Sequence, residues 1–282
     1  MSLARRLTVS LLALLWLAAC AAVAPPEEEP PIAYPAELRE RLVELALREW
    51  EAFGGGITDY RGPERLELRT PMSENDPRVF HLLQGYWNAV REERDSWPRH
   101  IREQREVFRT GDSESWQDVP WSAAFISYLL RSAGVDLADF RWSAAHSFYL
   151  DHALATHRRW GDLALYTPLD LEDHKPVPGD LLCQDRSRPA ERRLSRVAER
   201  IQEVGRFRPM HCDLVVDSHP FRLSLIGGNL GNAVRLIYLP LSADGYPYRW
   251  SSQEGGRPSP FAILRLNVPQ SEGAPLLSEV AR

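Results

Sequence analysis

Three stretches decide the fold: Pro120-Trp121-Ser122-Ala123-Ala124-Phe125, then Pro178-Gly179-Asp180-Leu181-Leu182, then His211-Cys212-Asp213-Leu214-Val215-Val216 with Gly227-Gly228-Asn229 downstream. The first opens an amphipathic helix, because Phe125, Ile126, Leu129, Leu130 and Ala133 recur at helical spacing. Gly134 stops it. The second stretch starts a strand. In the third, alternation sends His211, Asp213 and Val215 to one sheet face and Cys212 and Leu214 to the other. A following strand, about Arg222 to Ile226, brings Asn229 close to His211. A helix start, a strand start and a strand end can each place one polar side chain in a common cleft.

Upstream, Pro35 precedes Leu38, Leu42, Leu45, Ala46 and Trp50 at helical spacing, closed by Phe53-Gly54-Gly55-Gly56. Arg61 to Thr70 reads as irregular. Asp76-Pro77 opens a helix through Phe80, Leu83, Trp87 and Val90, the Asp capping and the Pro starting it. The charged run Arg91 to Arg109 extends this helical lobe. Downstream, Ser143 reads as the cap of a helix through Tyr149 and Leu154 with His146 in its first turn. The insert from Asp185 to Arg208 carries an amphipathic helix. Its Arg192, Arg193, Arg196 and Arg200 suit either an anionic surface or a salt-bridged solvent face with Glu191, Glu199 and Glu203. Ala233 to Leu239 and Phe261 to Val268 read as further strands. The expected fold class is α+β: an antiparallel sheet of about five strands packed with helices, plus an N-terminal helical lobe.

The amino terminus carries a different signal. Arg5-Arg6 precede an apolar run that ends Leu17-Ala18-Ala19-Cys20, a lipoprotein leader in pattern. That run is too short for a bilayer span, which needs about 20 residues. Cleavage before Cys20 would leave its thiol to take the lipid, and Ala21 after it resembles sorting to the outer membrane, facing the periplasm. Ala24-Pro25-Pro26-Glu27-Glu28-Glu29-Pro30-Pro31 is a stiff acidic tether. The domain reading is therefore 1–19 leader, 20–35 lipidated cysteine and tether, 36–118 helical lobe, 119–268 sheet domain, and 269–282 disordered tail.

A net charge of -5 argues against a nucleic-acid partner. Of the 3 cysteines, Cys20 goes to the lipid, which leaves Cys183 and Cys212 in an oxidising compartment. Cys183 ends one strand and Cys212 begins the next, so antiparallel pairing sets them opposite as a disulfide. A nucleophilic Cys212 beside His211 fits poorly, since neighbours on a strand point to opposite faces. His146, His152 and His157 lack the i, i+4 spacing of a helical zinc pair, so neither a metal nor a cofactor is expected, and His146 alone is placed in the cleft.

The order of a helix-borne residue, then His, then Asn resembles the papain-like cell-wall hydrolases of the NlpC and CHAP type. There the first block carries Cys at the helix start, followed by Pro-Gly-Asp-Leu-Val, His-Val-Gly and a Gly-Asn strand end. The resemblance covers about Val119 to Val268, with Ser122 where those families place Cys. The Pro-Trp-Ser-Ala-Ala-Phe block also resembles an uncharacterised bacterial lipoprotein family, domain of unknown function 2272. The papain-like resemblance implies a catalytic set of Ser122, His211 and Asn229, to which Asp213 is added by its place on the face of His211, in a cleft lined by Trp121, His146, Asp180 and Gly228.

A serine lacks the thiolate ion pair of a Cys-His site, and needs both a neutral His and a carboxylate behind it. Asn229 supplies no such charge, whereas Asp213, at i+2 from His211, can. The plain alternative makes Ser122 the amino cap of its helix. Two functions follow: an envelope amide hydrolase acting on peptidoglycan stem peptides, or an inactive module that binds cell-wall peptide or an envelope protein partner. A scaffold with a vestigial cleft is the third.

Overall fold

A computed structural model describes residues 29–91, 119–250 and 259–269. The leader, Cys20, most of the tether, the charged run beyond Arg91 and the tail beyond Pro269 lie outside the described residues. The chain divides into two compact units, Met1–Pro30 and Pro31–Arg282, and every element below belongs to the second.

The architecture is α+β. Among the described residues, five α-helices accompany the strands: α1 (Glu37–Ala52), α2 (Phe80–Ala89), α3 (Ser122–Ser132), α4 (His146–Trp160) and the short α5 (Val197–Ile201). The strands are β1 (Gly56–Asp59), β2 (Leu66–Arg69), β3 (Tyr166–Asp170), β4 (Leu181–Asp185), β5 (Met210–His219), β6 (Arg222–Gly227), β7 (Arg235–Pro240) and β8 (Pro260–Leu266). They form one 8-stranded sheet in the order β2-β1-β7-β6-β5-β4-β8-β3. This corrects the expected sheet of about five strands in two ways. The segment after Gly56, read as irregular from Arg61, supplies β1 and β2, a further strand β3 follows α4, and β1 joins β7 in parallel where an all-antiparallel sheet was expected. Leu66 to Arg69 are exposed throughout, so no burial alternation marks β2 as a strand.

The centre of the sheet is as the alternation requires. Cys212, Leu214 and Val216 join α1, α2, α3 and α4 in the main hydrophobic cluster, whereas Val215 belongs to a second cluster on the far face with Leu182, Leu225, Ile237 and Ile263. Helices α1 and α2, expected in a lobe of their own, contribute Leu38, Leu42, Trp50, Leu83 and Trp87 to that same main cluster. Trp121 stacks between Phe53 and Tyr86, ring centroids 5.8 and 5.5 Å away, so the entry to α3 is anchored by rings from the preceding segments.

Buried polar groups stitch the layers together. Arg39 of α1 donates to the carbonyls of Pro178, Leu266 (2.9 Å) and Val268 (2.8 Å). Asp180 accepts from the amides of Leu266 and Val177 and contacts His174. Glu49 receives the hydroxyls of Tyr86 and Tyr128. Each satisfies a group that would otherwise be costly to bury. Cys183 faces Cys212 directly in the β4–β5 register and is bonded to it in a disulfide.

The arginine-rich insert differs from its expected solvent face at one position. Arg200, on α5, is fully buried and makes a two-pronged pair with Asp151 of α4 at 2.8 and 2.7 Å. Arg196 remains outside, paired with Asp170 and Glu172.

Candidate functional site

Ser122 is the first residue of α3 and His146 the first of α4, so two helix starts meet. Ser127, one turn into α3, sets their spacing. Its hydroxyl accepts from the Ser143 amide at 3.0 Å and donates to the Ser143 carbonyl at 3.0 Å, tying the approach to α4 onto α3. The Ser143 hydroxyl accepts from the Ala145 amide, a turn that precedes α4 rather than the expected cap on it.

The Ser122 hydroxyl lies 2.6 Å from His146 Nε2. The sequence pairs it with His211; in the structure its hydrogen-bonded imidazole is that of His146, and no side-chain cap forms at the start of α3. His211 is instead engaged by Asp213, Nε2 to Oδ1 at 2.7 Å, as the i, i+2 spacing suggests. Both His211 and Asp213 are buried; Asp213 faces Gly227 of β6, and the ring of His211 sits 5.3 Å from that of His146 at the start of α4.

The polarity of the Ser122–His146 bond follows from the other ring nitrogen. β5 pairs with β6 only from Leu214 onward, which leaves the Cys212 amide past the end of that ladder. It donates to His146 Nδ1 at 3.2 Å. A backbone N–H can only donate, so Nδ1 carries no proton. The Tyr149 hydroxyl also contacts Nδ1, and burial first, then the Asp213 charge, holds that phenol protonated, so it is available as a second donor. Burial, reinforced by His211 and Arg186, keeps the His146 imidazole neutral, its pKa far below the ordinary value. The single ring proton is therefore on Nε2 and points at the serine oxygen. Ser122 accepts that bond and has its own proton free to donate outward.

Outward lies a cleft of about 370 Å³ lined by Ser122, Ala145, His146, Arg186, Phe207 and Arg208, with Met210, Asn229 and Asn232 on the remaining wall. Asn229 thus reaches the cleft as expected. Its φ of +54° falls in the left-handed region that asparagine tolerates, and its Oδ1 is buried without a partner. The other proposed lining residues stand elsewhere. Trp121 is buried with its indole donating to Glu74, Asp180 is buried in the contacts described above, and Gly228 is packed against Phe125 and Trp121. A Cβ on Gly228 would approach Phe125 Cβ to 2.7 Å, and one on Gly227 would approach Asp213 Oδ1 to 1.8 Å, so both glycines are packing requirements.

Sequence reasoning put His146 in the cleft but missed its bond to Ser122. No local signal singled that bond out, because Val215 makes the second side of β5 apolar as well. Arg186 and the Ser127–Ser143 tie carried no pattern of their own. Among the described residues no group of three His, Cys, Asp or Glu side chains is placed to hold a metal.

A family model described as "Uncharacterized protein conserved in bacteria (DUF2272)" matches residues 74–265, which include Ser122, His146, Arg186, His211, Asp213 and Asn229. No curated protein and no solved structure matches the chain.

Proposed function

The chain belongs to the DUF2272 family, and on that premise we propose that it is a lipid-anchored envelope protein whose papain-like cleft binds cell-wall peptide without cleaving it. The observation that carries this reading is the polarity of one hydrogen bond. A serine nucleophile must pass its proton to the imidazole during attack. Here the imidazole already holds a proton on the facing nitrogen, placed there by the Cys212 amide behind it. His211, the base in the papain-like pattern, hydrogen-bonds Asp213 rather than Ser122. What remains at the cleft is a hydroxyl donor, two asparagines and Arg186, with Arg208 held by Asp185 and Glu203, a set suited to peptide carbonyls and carboxylates.

The membrane anchor rests on the Leu-Ala-Ala-Cys20 leader, and the cell-wall ligand on the order of motifs shared with NlpC and CHAP hydrolases. Sedimentation of the purified protein with peptidoglycan sacculi tests the binding. Retention above a control protein, weakened by Asn229→Ala, is the expected result. Retention no greater than the control overturns it.

Hydrolysis has one observation of its own, the 2.6 Å approach of Ser122 to His146, which is within reach for proton transfer. Digestion of stem peptides by wild type but not by Ser122→Ala would establish it. Cleavage that emerges only in Ser122→Cys, whose thiolate can form without a carboxylate behind the imidazole, would mark an inactivated descendant.

A further inference from the structure

A second pocket, of about 150 Å³, lies beside the Ser122 cleft and shares Arg186, Asn229 and Gly231 with it. Thr58 and Ile237 form its floor as register partners across the parallel β1–β7 pair. Ile237 belongs to the far-face cluster, so this pocket opens on the side of the sheet away from the main helices. Three guanidinium groups line it: Arg65, Arg186 and Arg235.

The charges around it do not cancel. Glu67 pairs with Arg235 and stands 3.7 Å from Arg65, so one carboxylate serves two cations. Asp213 hydrogen-bonds His211, whose pKa burial lowers, and keeps its charge, so two carboxylates stand against three cations. Among the described residues no carboxylate forms an ion pair with Arg186, on which Asp213 and Tyr60 act only through space. The polar lining is also unfinished. Thr58 is 2 % exposed and its hydroxyl has no hydrogen-bond partner; the buried Oδ1 of Asn229 has none either. A buried hydroxyl left unpaired costs free energy that a ligand would recover. An amide flip of Asn229 offers N–H donors at the same place, since the two ends of the amide differ only by the network they join.

We propose that this pocket is a binding site for a compact oxyanion, a carboxylate or a phosphate group, held by Arg186 and Arg65 with the Thr58 hydroxyl as donor from the floor. Excess positive charge supplies the attraction, and orphaned donors supply the geometry. The volume suits the anionic group and little more. Thr58, Arg65 and Arg235 line this pocket and not the Ser122 cleft, so a response at Thr58 distinguishes the two.

The test titrates the purified ¹⁵N-labelled protein with sodium phosphate or sodium acetate against sodium chloride at matched ionic strength. Amide shifts confined to Thr58, Asn229 and Gly231 that saturate with phosphate alone identify a phosphate-type ligand, and saturation with acetate identifies a carboxylate. Arg186→Met should weaken the responding anion by about tenfold or more, and Thr58→Val, which keeps the shape of the side chain, by a smaller factor. Arg186 is exposed, so its loss should leave the fold standing, which circular dichroism checks for each variant. Identical shifts in all three salts, or unchanged affinity in folded Arg186→Met, overturn the proposal.

Discussion

The amide of Cys212 donates to Nδ1 of His146 across 3.2 Å, and this contact decides what Ser122 can do. It ties the tautomer of a helix-borne imidazole to the end of a β-ladder. The same residue is held from its other end by the disulfide to Cys183, so cross-link, strand end and imidazole form one assembly.

Acidification should destabilise the fold through His146. Its folded pKa is depressed by burial, so below the unfolded value of about 6.5 the unfolded chain binds a proton that the folded chain refuses. Stability is thus lost as pH falls, by about 1.4 kcal/mol per pH unit for each such histidine. Above 6.5 the residue has no effect. His211, also lowered by burial against the opposing pull of Asp213, adds to the slope until its own folded pKa is reached. Urea unfolding between pH 6.5 and 5, above the main carboxylate range, should show a steep wild-type decline that flattens by about one proton in His146→Gln. Equal slopes would contradict the buried neutral imidazole.

Ser122→Ala removes the acceptor from the His146 Nε2–H. The expected cost is about 1 to 3 kcal/mol, because a donor is left unpaired in a largely buried place. Chemical denaturation measures it. A change within a few tenths would mean that water replaces the hydroxyl without loss.

Arg200→Ala should be the most damaging substitution in the insert. It strands the buried Asp151 carboxylate, which otherwise receives two guanidinium bonds and the Gly205 amide. The expected loss is about 3 to 5 kcal/mol. Arg196→Ala, which removes an exposed guanidinium beside half-buried Asp170 and exposed Glu172, should cost less than about 1 kcal/mol. Comparable melting shifts for the two would refute the contrast.

Reduction of the Cys183–Cys212 disulfide, or the double Cys→Ala variant, releases a loop with a sequence separation of 29. Loop-closure entropy puts the loss at about 3 to 4 kcal/mol. The denaturation midpoint in the presence and absence of reductant reads it directly, and an unchanged midpoint would show that the sheet alone carries the stability.

Gly227→Ala should destabilise the fold, since its Cβ would fall 1.8 Å from Asp213 Oδ1 and push that carboxylate off His211 Nε2. Recovery of soluble, cooperatively melting protein in Gly227→Ala but not in Gly227→Val would indicate that the carboxylate can swing aside.

Much of the frame was legible because it depends on local rules. Helical spacing located α1 and α3, Asp76-Pro77 marked the turn of 3₁₀ helix that leads into α2, and alternation along His211 to Val216 sorted two sheet faces correctly. Opposed strand ends were enough to pair Cys183 with Cys212. Strands β1 and β2 escaped because they are four residues long, the second exposed along its whole length, so no burial period could show. The site escaped for a different reason. Whether His146 or His211 meets Ser122 depends on which face of β5 the helices cover. That choice is made by long-range apolar packing around Cys212, Leu214 and Val216, to which no local spacing points. Covering that face leaves His211 hydrogen-bonded to Asp213 rather than to Ser122, and the amide left over at the end of the β5–β6 ladder then determines which nitrogen of His146 holds the proton.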